Sequence, residues 1–424
     1  MTSMAAQADV VIVGGGMVGA TLGLALAGTA LRVAIVEPVL PGEGPQPSFD
    51  ERCTALANGS QRMLETLGAW AGIAPQASAI QTIHVSDAGR FGSARLEAAP
   101  LRLPALGYTA PNRAIGAALW QSLRAHPQVR LIAPARVTDV LYGPQAVELR
   151  LRSAAGAPAP APEQAPEQAL TARLVVAADG DRSLIRERAG LQATEVDYAQ
   201  LAVVASVSAE RRAGDTAYER FGAAGPVALL PRPDGHYTVV WCAARDRAEA
   251  LLRLPDAGFL AELQTAFGWR VGAFTRVGQR AGYPLLLRRA PRLVAHRTVL
   301  IGNAAQSLHP VAGQGFNLGL RDAATLAGLL AEASGPDADP GAGELLADYQ
   351  RQRLQDRAGM IGFTDSLVRL FALSFPGAGS LRSAGLLLFD ALPAAKRGLS
   401  GVSWGFGVRT PRLLRGLSVA ASRE

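Results

Sequence analysis

The chain has 424 residues, 49% of them apolar, which is too long for one compact core and long enough for two closely joined globular lobes. Its formal net charge is +7, yet no basic cluster is interleaved with stacking aromatic residues, so we predict no nucleic-acid partner. The two cysteines, Cys53 and Cys242, stand far apart and support neither a disulfide framework nor a cysteine metal site, which favours a reducing compartment.

The N-terminal region has the pattern of a βαβ unit. Residues 9–13 and 32–37 have the pattern of buried strands, and residues 17–28 between them that of a helix with small residues on one side. The apolar run from Val10 to Ala27 lacks the basic start of a signal peptide and contains three consecutive glycines, so we interpret it as a folded element. No stretch reaches the roughly 20 apolar residues of a spanning helix, and we expect a cytoplasmic protein.

Glycines between the first strand and the helix form a dinucleotide-binding fingerprint. Gly14 allows a tight turn, Gly16 lets the backbone approach a pyrophosphate, and Gly19 lets the helix pack closely on the strand. The positive end of the helix dipole then faces the phosphates. Glu37, at the end of the second strand, is expected to accept hydrogen bonds from an adenosine ribose. The fingerprint predicts a dinucleotide but does not separate FAD from NAD.

The next part of the chain alternates helices and strands. Helices are predicted from Leu56 to Leu67 and from Ala114 to Ala125. The low-complexity segment 153–169 lies between strand-like runs at 146–152 and 170–178. We therefore predict that this segment is the surface connection of an elongated hairpin.

A second lobe is predicted to follow. Residues 200–208 and 236–243 alternate as half-buried strands do, which indicates a sheet-built lobe between about 191 and 285. The chain then returns to the nucleotide lobe with a strand at 297–302, and after roughly residue 340 it becomes helical and Arg-rich.

Two later segments favour FAD as the dinucleotide. Segment 174–183 is a buried strand ending in Asp179, and segment 299–322 begins with a strand ending at Gly302 and Asn303. The loop and helix start that follow supply further candidate cofactor-binding residues: Pro310, Gly313, Gln314, Gly315, Phe316 and Asn317. A helix N-terminus aimed at the flavin pyrimidine edge would stabilise the anionic reduced flavin.

Together these segments resemble the FAD-dependent aromatic hydroxylases, and further pieces resemble the ubiquinone-biosynthesis branch of that family. The pieces are DERCTALANGSQ at 50–61, HVSDAGR at 84–90, YERFG at 218–222, AFGWRVG at 266–272, GNAAQSLHPVAGQGFNLGLRD at 302–322 and TDSLVRLF at 364–371. The long piece at 302–322 is the most specific. Many members of the wider family carry Asp where this chain has Asn303; Asn can still accept and donate hydrogen bonds, and the ubiquinone branch commonly has it.

The resemblance implies an α/β fold like that of p-hydroxybenzoate hydroxylase. A Rossmann-like, doubly wound FAD-binding domain is expected to be interleaved with a sheet-based substrate domain and followed by a helical C-terminal region. The implied FAD-binding domain spans 1–78, 105–190 and 286–340. The implied substrate domain spans 79–104 and 191–285, and the helical region spans 341–424.

The resemblance also implies a monooxygenase reaction. NADPH or NADH reduces FAD, the reduced flavin traps O2 as a C4a-hydroperoxide, and a lipophilic phenol of the polyprenyl-methoxyphenol type is hydroxylated. No metal is expected, because the five histidines lack metal-ligand spacing. Two other functions stay open: a related hydroxylase acting at another ring position or on a soluble aromatic, and a noncatalytic flavoprotein subunit of a ubiquinone-biosynthesis complex.

Several side chains take roles by this resemblance. Arg52 is expected near the ribityl-phosphate region of FAD and Arg113 near the isoalloxazine or ribityl chain, the alternative for each being a solvated surface charge. Asp179 is expected to serve the pyrophosphate and the nicotinamide docking surface. His309, before Pro310, either orients or deprotonates the phenol or is a hydrogen-bonded structural histidine.

Two further sets of residues have open interpretations. Tyr218, Phe221 and Trp241 either line an aromatic substrate pocket or belong to the core. The C-terminal region from about 357 to 418 combines apolar and basic residues, among them Leu386, Leu387, Leu388, Phe389, Lys396, Arg397, Arg409, Arg412 and Arg415. It either forms an interfacial helix on the inner face of a membrane or packs on the nucleotide lobe.

Overall fold

The computed structural model describes residues 7–40, 52–154, 167–222, 225–308, 313–333, 335, 338–372, 378–392, 396 and 410–419. Four residues predicted to be functional lie outside these ranges: His309, Pro310, Arg397 and Arg409. Strands and helices are numbered in chain order. Within the described ranges, no helix has the length and apolar character needed to cross a membrane.

An eight-stranded sheet forms the first lobe. Its strands are β1 (Ala8–Val13), β2 (Val33–Val36), β8 (Val129–Ile132), β9 (Ala135–Tyr142), β10 (Val147–Ser153), β11 (Gln168–Ala177), β18 (Val294–Ala295) and β19 (Thr298–Leu300). β1 lies between β2 and β11, and β8 and β19 extend this parallel part on either side. β9, β10 and β11 pair antiparallel. Val10, Val11 and Ile12 are fully buried, as expected for parallel strands covered on both faces.

A nine-stranded, mostly antiparallel sheet forms the second lobe. Its strands are β5 (Thr82–Asp87), β6 (Ser93–Glu97), β12 (Thr194–Ala209), β13 (Thr216–Phe221), β14 (Val227–Pro231), β15 (Tyr237–Ala244), β16 (Phe274–Val277), β17 (Ala281–Arg289) and β20 (Gln306–Ser307). β5 pairs in parallel with β13, so the strands within 82–97 join those within 194–289 in one sheet. The division into a substrate domain of residues 79–104 and 191–285 stays a prediction, and β17 and β20 of this sheet extend beyond residue 285.

A small sheet joins the two lobes. It contains β3 (Cys53–Ala57), β4 (Ser78–Ile80) and β7 (Gly107–Pro111), with β7 in the middle. The hydroxyl of Thr109 in β7 donates to the carbonyl oxygen of Pro231 at the end of β14. The small sheet is thus hydrogen-bonded to the large sheet of the second lobe.

Helices cover the sheets. They are α1 (Met17–Ala27), α2 (Asn58–Thr66), α3 (Trp70–Ile73), α4 (Asn112–Arg124), α5 (Leu184–Arg188), α6 (Arg245–Arg253), α7 (Asp256–Phe267), α8 (Gln314–Glu332), α9 (Gly343–Ala372) and α10 (Ala378–Ala391). Helix α1 packs against α4 and α8 in the first lobe, while α10 packs on β5 and β6. Short 3-10 turns occur at Ala74–Gln76, Ala99–Leu101, Gly302–Ala304 and Arg412–Arg415.

One face of the nine-stranded sheet is covered by helices α6 and α7. Val203, Val239 and Trp241 point to this face and pack in one apolar cluster with Phe259 and Phe267 of α7. Because side chains alternate along a strand, the residues between them point to the other face.

The opposite face is turned toward the first lobe, and we call it the inner face. Strand register aligns Tyr283 of β17 with Ala202 of β12 and Cys242 of β15, so these three side chains share it. The Arg52 guanidinium lies 4.3 Å from the centre of the Tyr283 ring. The carbonyl oxygen of Arg52 accepts a hydrogen bond from the Asn112 N–H at the start of α4, which ties Arg52 to the first lobe.

Most predicted elements are present with bounds shifted by a few residues. The predicted helix from Leu56 begins two residues too early, because Cys53–Ala57 is a strand and the helix begins at Asn58. Leu56 and Ala57 pair with Tyr108 and Gly107 of β7. Pairing with a distant strand thus overrides the local helical pattern. β10 and β11 pair antiparallel, which confirms the predicted hairpin, although residues 155–166 lie outside the described ranges.

Candidate functional site

The predicted segments meet at one edge of the parallel sheet. Val13 at the end of β1 pairs with Ala177 of β11, and Ala177 pairs with Leu300 of β19. Val13 also pairs with Val36 at the end of β2. The residues that follow these strand ends are therefore neighbours: Gly14, Glu37, Asp179 and Gly302. This is the edge at which open α/β sheets bind ligands.

The turn after β1 leaves no room for side chains. Gly14 has a φ of 102°, and a Cβ there would overlap the carbonyl oxygen of Ala178. A Cβ at Gly19 would overlap the carbonyl oxygen of Gly14. Gly16 precedes α1 in an extended conformation and caps the helix without a side-chain hydrogen bond. The N–H groups of the first turn of α1 therefore remain suited to bind phosphate oxygens.

Two side chains hold this glycine turn in place. The Glu37 carboxylate accepts hydrogen bonds from the N–H of Gly15 at 2.7 Å and of Val39 at 3.1 Å. The indole nitrogen of Trp120 in α4 donates to the carbonyl oxygen of Gly15 at 2.8 Å. Sequence reasoning predicted the position of Glu37 but not Trp120. The available signal was a tryptophan in a predicted helix, which does not reveal a partner 105 residues away.

Asp179 follows β11 and has one oxygen without a partner. Its Oδ2 accepts a hydrogen bond of 3.3 Å from the Ile185 N–H, while Oδ1 is buried and has no hydrogen-bond partner in the described part of the chain. Burial raises the pKa of the Asp179 carboxyl, and hydrogen bonds from Ser183 and nearby N–H groups oppose that rise. An orphaned buried oxygen fits a ligand hydroxyl or N–H donor.

The segment that begins at Gly302 is held by the buried carboxylate of Asp322. Gly302 has a φ of 58°, and its N–H donates to Asp322 Oδ2 at 3.0 Å. Gln306 Nε2 donates to the same oxygen at 2.7 Å, and Arg353 Nε donates to Asp322 Oδ1 at 2.7 Å. Asn303 is exposed beside them, so its amide is available to a ligand. Asp322 and Arg353 were not singled out from the sequence.

The start of α8 offers an open surface beside this segment. Gly313 caps the helix in the left-handed region at a φ of 60°, and a Cβ at Gly315 would meet nothing within 4 Å. Gln314 is buried, and Phe316 packs against the core of the first lobe. This space beside a helix N-terminus fits the proposed place of a flavin edge.

Asn317, predicted to bind the cofactor, uses its amide within the chain. Its Oδ1 accepts hydrogen bonds of 2.8 Å from the Ala57 N–H and the Ser60 hydroxyl. Its Nδ2 donates to the carbonyl oxygens of Ala55 at 2.8 Å and Gly313 at 2.9 Å. These bonds make Asn317 a residue that positions the start of α8 against β3 and α2.

The two predicted arginines have different surroundings. Arg52 lies between the lobes with its guanidinium over Tyr283, as described above. Arg113 is exposed near the start of α4 and donates to Gln76 Oε1 at 2.7 Å. Arg52 is therefore at the inner face, whereas Arg113 is on the surface of the first lobe.

The three predicted pocket aromatics do not share a face. Tyr218 and Trp241 lie in the apolar cluster under α6 and α7, and Trp241 is fully buried there. Phe221 is on the other side of β13, because strand alternation places it with Glu219 rather than with Tyr218. Of the three, Phe221 points toward the inner face. In the described ranges, no group of three or more His, Cys, Asp or Glu side chains is arranged to hold a metal ion.

Residues 7–364 match the family described as FAD binding domain. The chain is 38% identical over 417 residues to ubiquinone hydroxylase UbiL of Rhodospirillum rubrum, covering 97% of this chain and 93% of that protein. It is 32% identical over 394 residues to 3-demethoxyubiquinol 3-hydroxylase of Escherichia coli, covering 92% and 96% of the two chains. Nearly the whole length is thus shared with these relatives.

The fold is similar to that of solved flavin-dependent enzymes. The crystal structure of p-nitrophenol 4-monooxygenase PnpA from Pseudomonas putida superposes with a TM-score of 0.75 and 20% identity, covering 94% of this chain and 97% of that one. At this identity the likeness concerns the fold alone.

Proposed function

The chain belongs to the FAD binding domain family, and from that premise we propose that it hydroxylates the aromatic ring of a lipophilic polyprenyl phenol in ubiquinone biosynthesis. It is an FAD-dependent monooxygenase that uses NAD(P)H and O2. The relatives named as ubiquinone and demethoxyubiquinol hydroxylases support the pathway. Within that pathway, we propose a lipophilic phenol of the polyprenyl-methoxyphenol type as the substrate.

One observation carries the proposal: the glycine turn, the orphaned Asp179 oxygen and the open start of α8 lie around one sheet edge. A dinucleotide placed there meets the first turn of α1 with its phosphates and Glu37 with its adenosine ribose. Asp179 and the exposed Asn303 are suited to hydroxyl groups of the cofactor. The residues present therefore fit FAD.

FAD, once reduced by NAD(P)H, supplies the activated oxygen for hydroxylation. The chain itself supplies orientation and protection from water. Gly313 and Gly315 add no side chains at the start of α8, so its positive dipole end can stabilise negative charge on the cofactor. Arg52 contributes a positive charge between the lobes, over Tyr283 of the inner face.

Exposed apolar side chains on helix α10 favour the proposal of a lipophilic substrate. Leu381 and Leu388, seven residues apart on one side of the helix, are 66% and 62% exposed. Phe91, 98% exposed, lies between Arg90 and Gly92, which approach Gly379 and Ser383 of the same helix. These side chains, with Leu387 and Leu392, form what we call the apolar stripe. Such a stripe suits reversible contact with a membrane surface that holds the substrate.

The opposite side of α10 packs on β5 and β6 at one end of the nine-stranded sheet. Phe389 contacts the cluster that contains Ile83 and Leu96, and Arg382 forms a 3.2 Å ion pair with Asp87 of β5. Since β5 pairs with β13, the helix that carries the apolar stripe borders the inner face. We propose that a polyprenyl chain enters along this border.

Mass spectrometry of quinone intermediates in a strain that lacks this protein tests the proposal. We expect a polyprenyl phenol lacking one ring hydroxyl to accumulate, and the wild-type gene to remove it. The position of the missing hydroxyl identifies the site of reaction. Normal ubiquinone in the deletion strain would contradict a role in this pathway. Rescue by a variant that binds no FAD would instead indicate a noncatalytic subunit.

A further inference from the structure

Glu219 is an acidic side chain on the inner face of the nine-stranded sheet. In strand register it aligns with Val85 of β5 and Ala228 of β14, and Ala228 aligns with Val240 of β15. Val240 is two residues from Cys242 and therefore points to the same face. Register thus places Glu219 on the inner face, on β13, two strands away from Cys242 on β15.

The surroundings of Glu219 are apolar. Its aligned neighbours are Val85, Ala228 and Val240, and the side chain is half-buried. In the ranges that the structure describes, its carboxylate has no hydrogen-bond or ion-pair partner. Desolvation raises the pKa of the Glu219 carboxyl to about 7. A carboxyl in such a place is suited to accept a proton near neutral pH.

Other titratable groups on this face have their own arrangements. Asp87, two residues beyond Val85 on β5, is paired with Arg382 of α10 at 3.2 Å and lies 3.7 Å from Arg90. Burial, and to a lesser extent Glu219 itself, raises the pKa of the Cys242 thiol, which stays neutral. Asp87 is negative and Cys242 is neutral, so neither offers Glu219 a positive charge. Desolvation is the cause of the raised pKa of Glu219.

We propose that Glu219 is a catalytic residue that accepts the hydrogen bond, and then the proton, of the substrate phenol during hydroxylation. This inference rests on the proposed function. A phenol carries its own proton at pH 7, since its pKa is about 10, and its ring becomes more electron-rich as that proton leaves. The Glu219 carboxylate withdraws the proton as the ring carbon attacks the activated oxygen.

The step is balanced in protons and electrons. The phenolic O–H bond breaks, its proton goes to a Glu219 oxygen, and its electron pair moves into the ring. The ring carbon would form a C–O bond to the outer oxygen atom of the O2 that reduced FAD activates, giving a dienone. The O–O bond would break at the same time, and its electron pair would stay on the inner oxygen, which takes up protons and ends as water; NAD(P)H supplies the two electrons. The ring C–H proton then leaves to solvent, and the carbonyl oxygen takes back the proton from Glu219. The second phenolic hydroxyl is thus formed and the carboxylate is restored.

The test compares Glu219→Gln with the matched control Glu97→Gln, which removes an exposed carboxylate from the same sheet. The probe is a methoxyphenol with a short alkyl chain. In single turnovers with reduced FAD enzyme, we expect the wild-type rate to rise with pH through about 7. Glu219→Gln should be about 100-fold slower and lose this pH dependence. Glu97→Gln should behave as the wild type.

A binding measurement adds a second readout. The oxidised wild type should bind the probe about tenfold more tightly than its methyl ether, which cannot donate a hydrogen bond. This preference should disappear in Glu219→Gln and persist in Glu97→Gln. A wild type with no such preference, or a Glu219→Gln enzyme with normal rate and pH profile, overturns the role of Glu219. A wild type that binds FAD but hydroxylates no phenol overturns the proposed function instead.

Folding of the variant can be checked independently. Because the folded-state pKa of Glu219 is raised, the native state holds the proton more tightly, and the stability this contributes is lost as pH rises through about 7. Glutamine does not ionise, so the Glu219→Gln variant does not lose this stability as pH rises. The melting temperature of Glu219→Gln should therefore exceed that of the wild type above pH 7 by a few degrees. A lower melting temperature at every pH would assign Glu219 a structural role and overturn the proposal.

Discussion

The indole nitrogen of Trp120 donates a 2.8 Å hydrogen bond to the carbonyl oxygen of Gly15 in the turn between β1 and α1. A Cβ at Gly15 would come within 2.6 Å of the same indole ring. Helix α4 therefore fixes the backbone of the glycine turn from the side. The turn that we propose to bind phosphate is thus held by a tryptophan that lies outside the fingerprint.

Trp120→Phe keeps an aromatic ring in the core and removes the hydrogen bond to Gly15. We expect FAD to bind about 3- to 10-fold more weakly, because one buried hydrogen bond contributes roughly 0.5–1.5 kcal/mol. Flavin fluorescence titration of the apoprotein measures this. Trp70→Phe is the control, since Trp70 packs edge-on against Tyr108 instead. Equal affinity of both variants would mean that the turn does not need α4.

Gly19→Ala is expected to lose FAD and part of its stability. A Cβ at Gly19 would overlap the carbonyl oxygen of Gly14, so α1 must move away from the turn. Gly28→Ala at the end of the same helix meets nothing within 4 Å and should leave flavin content and melting temperature nearly unchanged. Comparison of the two purified proteins by absorbance and thermal unfolding decides the matter. Full FAD content in Gly19→Ala would exclude a close approach at this turn.

Gly315→Leu is expected to fold normally but to lose at least about 90% of hydroxylation, since it fills the space proposed for the flavin edge. The basis is the open surface at Gly315, where a Cβ would meet nothing within 4 Å. Gly328→Leu, also open and on the same helix, serves as the control and should retain activity. If Gly315→Leu keeps both its FAD and its turnover, the start of α8 is not at the flavin.

Asp322→Asn should destabilise the fold by about 1.5–3 kcal/mol, because it removes one of the two carboxylate partners of the buried Arg353 guanidinium, the other being Asp356. The loop that begins at Gly302 should loosen at the same time, since its N–H donates to Asp322. Asp348→Asn removes an exposed ion pair with Arg351 and should change the unfolding free energy by less than about 1 kcal/mol. Urea unfolding of both variants tests the contrast, and equal effects would contradict it.

Replacement of Leu381 and Leu388 by Gln should weaken binding to anionic liposomes at least about tenfold, because two leucines no longer enter the lipid interface. Flavin content should not change. Leu417→Gln alters a leucine that is 40% exposed outside α10 and is the control. Absence of liposome binding by the parent protein would refute the membrane contact, whereas loss of FAD in the double variant would show that α10 supports the nucleotide lobe.

The sequence was sufficient for features that depend on local chain chemistry. Gly14 and Gly19 could be assigned from the strand, turn and helix around them, and Gly14 has the positive φ that such a turn requires. β3 was missed because its five residues are defined by pairing with β7, which lies some 50 residues further along the chain. Local patterns carry no record of such a partner.

The site residues that sequence reasoning did not find were missed for the same reason, because their partners are distant in the chain. Trp120 and Asp322 act through contacts that arise only when distant segments meet, and the surroundings on which the proposal for Glu219 rests arise in the same way. Tyr218 and Trp241 were plausible pocket residues because of their type, yet the face of a strand that meets the other lobe is set by the whole sheet. Alternation shows that two faces differ but does not say which one binds substrate.

We propose that this chain uses FAD to insert one oxygen atom from O2 into the ring of a phenol. The most direct measurement is mass spectrometry of the product formed by purified, FAD-loaded enzyme with NADPH, a methoxyphenol bearing an alkyl chain, and O2 labelled with heavy oxygen. We predict a ring-hydroxylated product that carries one labelled oxygen atom. Full flavin content and NADPH oxidation, with only hydrogen peroxide formed from the labelled O2 and no hydroxylated phenol, would contradict the account.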